Sequence, residues 1–165
     1  MDTRETVPIP TAERVDLFRT AFRGHPAGVA VVTAAGERPT GFTATSLISV
    51  SARPPALAFG IDTGSSSWPV FARADHVGVH LLTRDQTDLA ARFARSGVDR
   101  FAGTEWRPGP HRVPLLADPP AHLVCRVLSR VAAGDHHLVV AEVECGQAAE
   151  DWSPLLYHRG GFAEL

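Results

Sequence analysis

Gly41 to Pro55 reads GFTATSLISVSARPP and lies between two apolar runs, Gly28 to Ala34 and Ala56 to Ile61. Five hydroxyl side chains, Thr43, Thr45, Ser46, Ser49 and Ser51, fall within nine residues of it. Strand side chains alternate between faces, so a continuous strand here turns Thr43, Thr45, Leu47, Ser49 and Ser51 one way and Phe42, Ala44, Ser46, Ile48 and Val50 the other. One face is then small and hydroxylated. Such a face is either a solvated surface or a ledge on which a flat ligand reaches the backbone, with hydroxyl and N–H groups for its carbonyls, ring nitrogens or phosphate oxygens.

The flanks build a sheet around this stretch. Gly28 to Ala34 is almost continuously apolar, which predicts a strand covered on both faces. Ala35 to Pro39 reads as a turn, so the two strands form a hairpin. Arg53-Pro54-Pro55 ends the second strand, and Ala56 to Ile61 is the third. His76 to Leu82 alternates as a strand, and Ala121 to Arg130 with His136 to Gln147 forms a long hairpin around Ala132 to Asp135. Its covered positions take Cys125, Val127, Val139 and Val143.

Helices are few. Thr11 is placed to cap one in which Val15, Phe18 and Phe22, with Leu17 and Ala21, make an apolar packing face that stops at Gly24. Trp68 to Arg73 reads as a short helix with Pro69 in its first turn. Asp85 caps another, where Leu89 and Phe93 stack, Asp88 can pair with Arg92, and Arg92 and Arg95 suit the carboxyl end. Ser65, Ser66 and Ser67 precede the second helix; they either receive a phosphate there or simply cap the helix through Ser67. Ser96 to Pro120 is long, irregular and rich in Gly and Pro, as functional lids and subunit contacts are.

Composition narrows the function classes. A chain of 165 residues suits one domain over residues 12–165 behind a flexible arm over residues 1–11. The formal charge of -2 and scattered basic residues argue against nucleic acid or an anionic membrane as partner. All sixteen basic residues are Arg, which excludes Schiff-base and P-loop lysines. No signal peptide or spanning apolar run is visible, so a cytoplasmic protein is expected. Cys125 and Cys145 read as reduced, buried thiols. GxGxxG and GxxxxGK[ST] are absent, and Gly64 to Ser67 is no nucleophile elbow. The eight histidines are dispersed and no HExxH occurs, so no metal centre is expected.

Five segments in series resemble the short-chain NAD(P)H:flavin oxidoreductases: HPAGVAVVTA (His25 to Ala34), GFTATSLISVSARPPALAFGI (Gly41 to Ile61), DRF (Asp99 to Phe101), GDHHLVVAEV (Gly134 to Val143) and PLLYHRGGF (Pro154 to Phe162). The resemblance implies a mainly β fold with peripheral helices, the FMN-binding split β-barrel, ending in PLLYHRGGF as a terminal strand. It implies FMN or FAD as flavin, NADH or NADPH as donor, a homodimer, and a separate flavin-dependent monooxygenase that receives reduced flavin. The flavin ring would lie along Thr43, Ala44, Thr45 and Ser46, with its tail at Ser65, Ser66 and Ser67. Phe93 would stand beside the ring, Arg100 would contact an anion, and His136 rather than His137 would help receive the nicotinamide. No catalytic side chain is implied, because the two cofactors carry the hydride between them. Phe42 stands where the family often has Met, Thr45 where it has Asn or Ser, and Ala141 where it has Gly. The alternatives are a flavin-binding module of the same barrel without turnover, and an oxidase of a phosphorylated pyridine ring in a related barrel.

Overall fold

The structure is a computed structural model that describes residues 9–164. Helix α1 (Thr11–Arg23) leads into β1 (Ala27–Gly28), β2 (Ala30–Ala34), β3 (Thr40–Ala44), β4 (Ile48–Ala52) and β5 (Pro55–Asp62). After α2 (Trp68–Phe71) come β6 (His76–Leu81), a 3-10 turn at Arg84–Gln86 and α3 (Thr87–Ala94). The ribbon β7 (Trp106–Pro108) and β8 (Pro114–Leu116) precedes the long strands β9 (Ala121–Ala133) and β10 (His136–Ala148). The small hairpin β11 (Leu156–His158) and β12 (Gly161–Ala163) closes the chain and pairs with β1. Most of the arm expected over residues 1–11 lies outside the described residues.

Seven strands form one antiparallel sheet in the order β3-β2-β6-β9-β10-β5-β4. β3 and β4 therefore sit at opposite edges, yet only Thr45, Ser46 and Leu47 join them. Four virtual bonds of about 3.8 Å bridge at most about 15 Å. Seven strands laid flat would hold the edges about 28 Å apart. The connection is possible only because the sheet rolls into a barrel that stays split between β3 and β5. The GFTATSLISVSARPP stretch is thus two strands and a bend, not one strand, and the face pattern expected of Thr45, Leu47, Ser49 and Ser51 does not run through it.

Alternation in β2 divides the core. Ala30, Val32 and Ala34 face the barrel interior with Phe42, Phe59, Ile61, Phe71, Val77, Val79 and Val139. Val29 and Val31 face a second cluster of Leu82, Ala90, Phe93, Phe101, Leu116 and Leu155. Every residue of β2 is buried, as its apolar run demands. Phe42, Phe59 and Phe71 pack mutually with ring centroids 5.1 to 6.3 Å apart, so the two lips of the split share one aromatic plug. Thr33 and His80 are the polar members of the outer layer, and His80 is the titratable one. Its Nδ1 lies 3.1 Å from Val31 O, and its Nε2 accepts from Leu116 N–H at 3.1 Å, which fixes the Nδ1-protonated tautomer and ties β6 to β2 and β8. Burial pushes its pKa down to about 4.

Several sequence expectations change. Pro10, not Thr11, precedes α1, and Thr11 Oγ1 instead accepts from Arg14. The apolar face of α1 is uncovered by this chain: Phe18 is 60% exposed and Phe22 57%. The second helix ends at Phe71 rather than Arg73. Asp85 does not cap α3; Gln86 folds back so that its Oε1 accepts from Thr83 N–H at 2.9 Å. Arg92 donates to Ala102 O and Thr104 Oγ1 in place of the expected Asp88 pair. The segment from Ser96 to Pro120 contains the β7–β8 ribbon, with Val113, Leu115 and Leu116 buried. Cys125 is buried, and burial pushes its thiol up to about 12, but Cys145 is exposed because a bulge between Val143 and Cys145 shifts the register. PLLYHRGGF is a hairpin turned at Arg159-Gly160, not a single strand.

Candidate functional site

The split in the barrel opens into a cleft of about 410 Å³. Thr43, Ala44, Thr45 and Ser46 form one wall and Gly60, Asp62, Ser65 and His136 the other, while Phe93 and Arg100 close the end. An adjoining hollow of about 470 Å³ is lined by Ser66, Ser67, Arg38 and Trp106 and shares Arg100 with the cleft. Eight of the ten expected site residues therefore meet in the cleft, and Ser66 and Ser67 lie next door.

The backbone sets the wall. β3 has a strand partner on one side only, and Gly41 O points away from β2 to accept from Arg100 Nη1 at 2.7 Å and from Ser67 Oγ at 3.2 Å. Main-chain groups alternate along an antiparallel strand, so Thr43 N–H and C=O point the same way and leave the ladder open toward the cleft. The Thr43 hydroxyl does not; Oγ1 donates to Ala90 O of α3 at 2.6 Å. Ser46 is also engaged. Its Oγ accepts from Gly60 N–H at 2.8 Å and lies 3.3 Å from Gly60 O, imitating a strand partner and fastening the bend to β5. The expected row of free hydroxyls is instead an open backbone edge at Thr43 beside two hydroxyl fasteners, with Thr45 the exposed hydroxyl between them.

Glycine is required at 41. A Cβ there would stand 2.9 Å from Val32 O, 3.0 Å from Phe93 Cε1 and 3.2 Å from Thr33 Cγ2. The closeness lets α3 press Phe93 against the wall, where its ring also packs edge-on against Phe101 at 5.0 Å.

Arg100 supplies the charge. The residue is 9% exposed, and its Nε donates to Arg95 O at 2.6 Å while Nη1 donates to Gly41 O and, at 2.9 Å, to Ser67 Oγ. Burial lowers its pKa, yet arginine remains cationic. Among the described residues no carboxylate lies within ion-pair distance of it. A buried guanidinium held only by neutral acceptors keeps a net positive charge at the end of the cleft, which favours an anionic group there. Ser67 begins the four-residue α2 without a capping bond from its side chain, because that hydroxyl serves Gly41 and Arg100.

Across the cleft, Gly134 at φ +62° and Asp135 form the two-residue turn of the β9–β10 hairpin. Asp135 O accepts from Thr63 N–H and Oγ1, which locks this turn to the one after β5. His136 Nδ1 lies 2.7 Å from Asp135 Oδ1, and this hydrogen bond holds the Asp135 carboxyl below its usual pKa. The contact fixes the imidazole ring and leaves Nε2 for a ligand. His137 faces the other way and stacks on Trp68 with centroids 4.4 Å apart. Gly60 and Asp62 were not foreseen as site residues. The β5–β10 register that sets His136 opposite Asp62 is what brings them in, and only knowledge of that pairing could have revealed it.

An open strand edge, an anion-seeking guanidinium and an oriented imidazole around a shallow slot suit a flat, anionic, hydrogen-bonding ligand such as a flavin nucleotide. The chain is similar to known flavin reductases. The chain is 42% identical over 151 residues to the NADH:FMN oxidoreductase of Rhodococcus qingshengii, covering 88% of this chain and 79% of that one. The solved Streptomyces globisporus NADH:FAD oxidoreductase, in complex with NAD and FAD fragments, superposes with a TM-score of 0.86 at 30% identity over 97% of each chain. A nitrilotriacetate monooxygenase component B homologue from Mycobacterium thermoresistibile gives a TM-score of 0.86 at 29% identity, covering 94% of this chain and 89% of that one. The flavin reductase like domain matches residues 22–165. The chain therefore belongs to the flavin reductase-like family.

Proposed function

We propose that this protein reduces FMN or FAD with NADH or NADPH, holding the flavin in the split of its barrel. The carrying observation is Arg100, a buried cation with no acidic partner, set at the end of an open strand edge. The flavin, when bound, supplies the hydride-accepting ring, and the nicotinamide supplies the hydride. The chain's own task is placement. Thr43 and Thr45 offer main-chain donors to the ring's polar edge, where they stabilise negative charge that develops there. Arg100, with Ser65, Ser66 and Ser67 near it, receives the phosphate-bearing tail. Phe93 walls one end against water, and His136, steadied by Asp135, stands at the mouth to orient the donor. No side chain needs to move a proton for the hydride to pass.

Reduced flavin leaves for a separate monooxygenase; the activity of the relatives, one of them a monooxygenase component B homologue, supports this. The working unit is a homodimer. Its support is the uncovered face of α1, with Val15, Leu17, Phe18 and Phe22 exposed, and the apolar outer sheet surface of Ile48, Val131 and Leu138. No helix among the described residues is long and apolar enough to cross a membrane, and the two free thiols agree with a cytoplasmic setting. The deciding experiment mixes purified protein with NADH or NADPH and either flavin and follows nicotinamide absorbance. Flavin-dependent oxidation supports the reading. Tight flavin binding without oxidation by either donor replaces it with a binding module, and the absence of both ends it.

A further inference from the structure

Far from the cleft, three side chains from three separate elements converge on the outer wall of the barrel. His76 opens β6, His111 sits in the 3-10 turn between β7 and β8, and Glu144 lies in β10. Glu144 Oε2 is 3.3 Å from His76 Nε2 and 3.4 Å from His111 Nε2. The donor atoms all lie within 4.8 Å of one another. His136, on the cleft, is eight residues away along β10, about 26 Å of strand. We propose that His76, His111 and Glu144 bind a divalent first-row transition ion of the zinc type, which clips the β7–β8 ribbon to the barrel.

The distances favour a shared cation over direct pairing. A charge-assisted N–H···O bond closes to about 2.7–2.9 Å, and both contacts here are longer and directed at one oxygen. Tetrahedral donors at about 2.0–2.1 Å from zinc stand about 3.3–3.4 Å apart, the spacing found between each imidazole and the carboxylate. Two imidazoles and a carboxylate suit zinc, cobalt or nickel and not magnesium or calcium.

The backbone is shaped to present these groups. The bulge between Val143 and Cys145 interrupts the ladder at Glu144. His111 and Arg112 both adopt left-handed φ, 55° and 62°, a conformation costly for non-glycine residues, and His111 is thereby stacked on His76 at 3.6 Å. Nearby charge leaves the position open. Arg126 pairs with Glu142 at 2.7 Å and touches the other Glu144 oxygen at 3.4 Å, so two carboxylates face one guanidinium and Oε2 remains free of it. The rings are nearly parallel, 7° apart, whereas a metal lies in the plane of each imidazole it binds. Loading therefore tilts a ring, and half-exposed His111 is the one with room to move.

The test uses the full chain without a histidine tag, stripped with chelator and titrated with zinc chloride by calorimetry, with thermal unfolding as a second readout. One zinc per chain and a raised melting temperature are expected, with no response to magnesium. His111→Ala, at an exposed turn, and Glu144→Gln should each weaken binding at least tenfold, an effect no smaller than losing an outer-shell partner of a metal site, about 10- to 100-fold. Cys145→Ser should leave binding unchanged. Absence of zinc uptake, or uptake that survives both His111→Ala and Glu144→Gln, overturns the assignment.

Discussion

Replacing Arg100 with Met keeps the length of the side chain and removes its charge and fork. Three acceptors lose a donor: Arg95 O, Gly41 O and Ser67 Oγ. Water can serve Arg95, which is exposed, and Ser67 still donates to Gly41. The net structural loss is then one charged hydrogen bond in a buried place, about 2 kcal/mol. If the same guanidinium meets the flavin phosphate, its removal takes a further charge-assisted contact of about 1.5–3 kcal/mol from the complex, or about 10- to 150-fold in Kd. Riboflavin separates the two roles because it has the ring and no phosphate. Fluorescence quenching titrations of FMN and riboflavin against wild type and Arg100→Met should show a weakened FMN complex and an almost unchanged riboflavin complex. Arg100→Lys should recover part of the FMN affinity, since it restores charge without the planar fork. Equal losses for FMN and riboflavin would refute the anion role and leave Arg100 as a brace for β3.

Other substitutions probe the scaffold and the mouth of the cleft. Gly41→Ala forces a Cβ against Val32 O and Phe93, so urea unfolding should reveal a loss of about 1–3 kcal/mol, with weaker flavin binding as β3 shifts. His80 is neutral in the folded chain, with a pKa near 4 against 6.5 unfolded. Its contribution is complete above pH 6.5 and is lost as pH falls through 4, about 1.4 kcal/mol per unit and about 3 kcal/mol in all. Chemical denaturation across this window should show that slope in wild type and a shallower one in His80→Gln. His136→Ala should raise KM for the nicotinamide and leave flavin Kd within about twofold, a split that steady-state kinetics and flavin titration resolve together.

The ability of sequence to foretell this molecule depended on the range of the cause. β2 was readable because burial on both faces writes an unbroken apolar run, and the β9–β10 hairpin because Gly134-Asp135 carries its own turn geometry. The break at Thr45–Leu47 was not readable. Those residues suit a strand well, and what bends them is the need to cross from one edge of the rolled sheet to the other. Cys145 looked buried because strict alternation places it so, and a one-residue bulge at Glu144 undoes that inference. The stripe on α1 was plain, but periodicity identifies an apolar face without naming what covers it. At the cleft, Phe93, Arg100 and His136 were expected from the family resemblance and do line it, yet the fastening of Ser46 to Gly60 depends on the strand register. The ribbon at 106–116 escaped because Pro108 ends its first strand and Pro114 opens its second, a pattern that argues for loop until the ladder itself is seen.

The unsealed seam between β3 and β5 couples ligand capture to the mechanics of the fold. A guest lodged there would touch β3, one margin of the rolled sheet, and β5, the strand next to the other margin, and would stand in for rungs that the protein leaves out. Its binding energy is spent partly on holding the cylinder shut. Amide exchange should accordingly slow in β3 and β5 when the slot is filled, and the emptied protein should breathe first along this line.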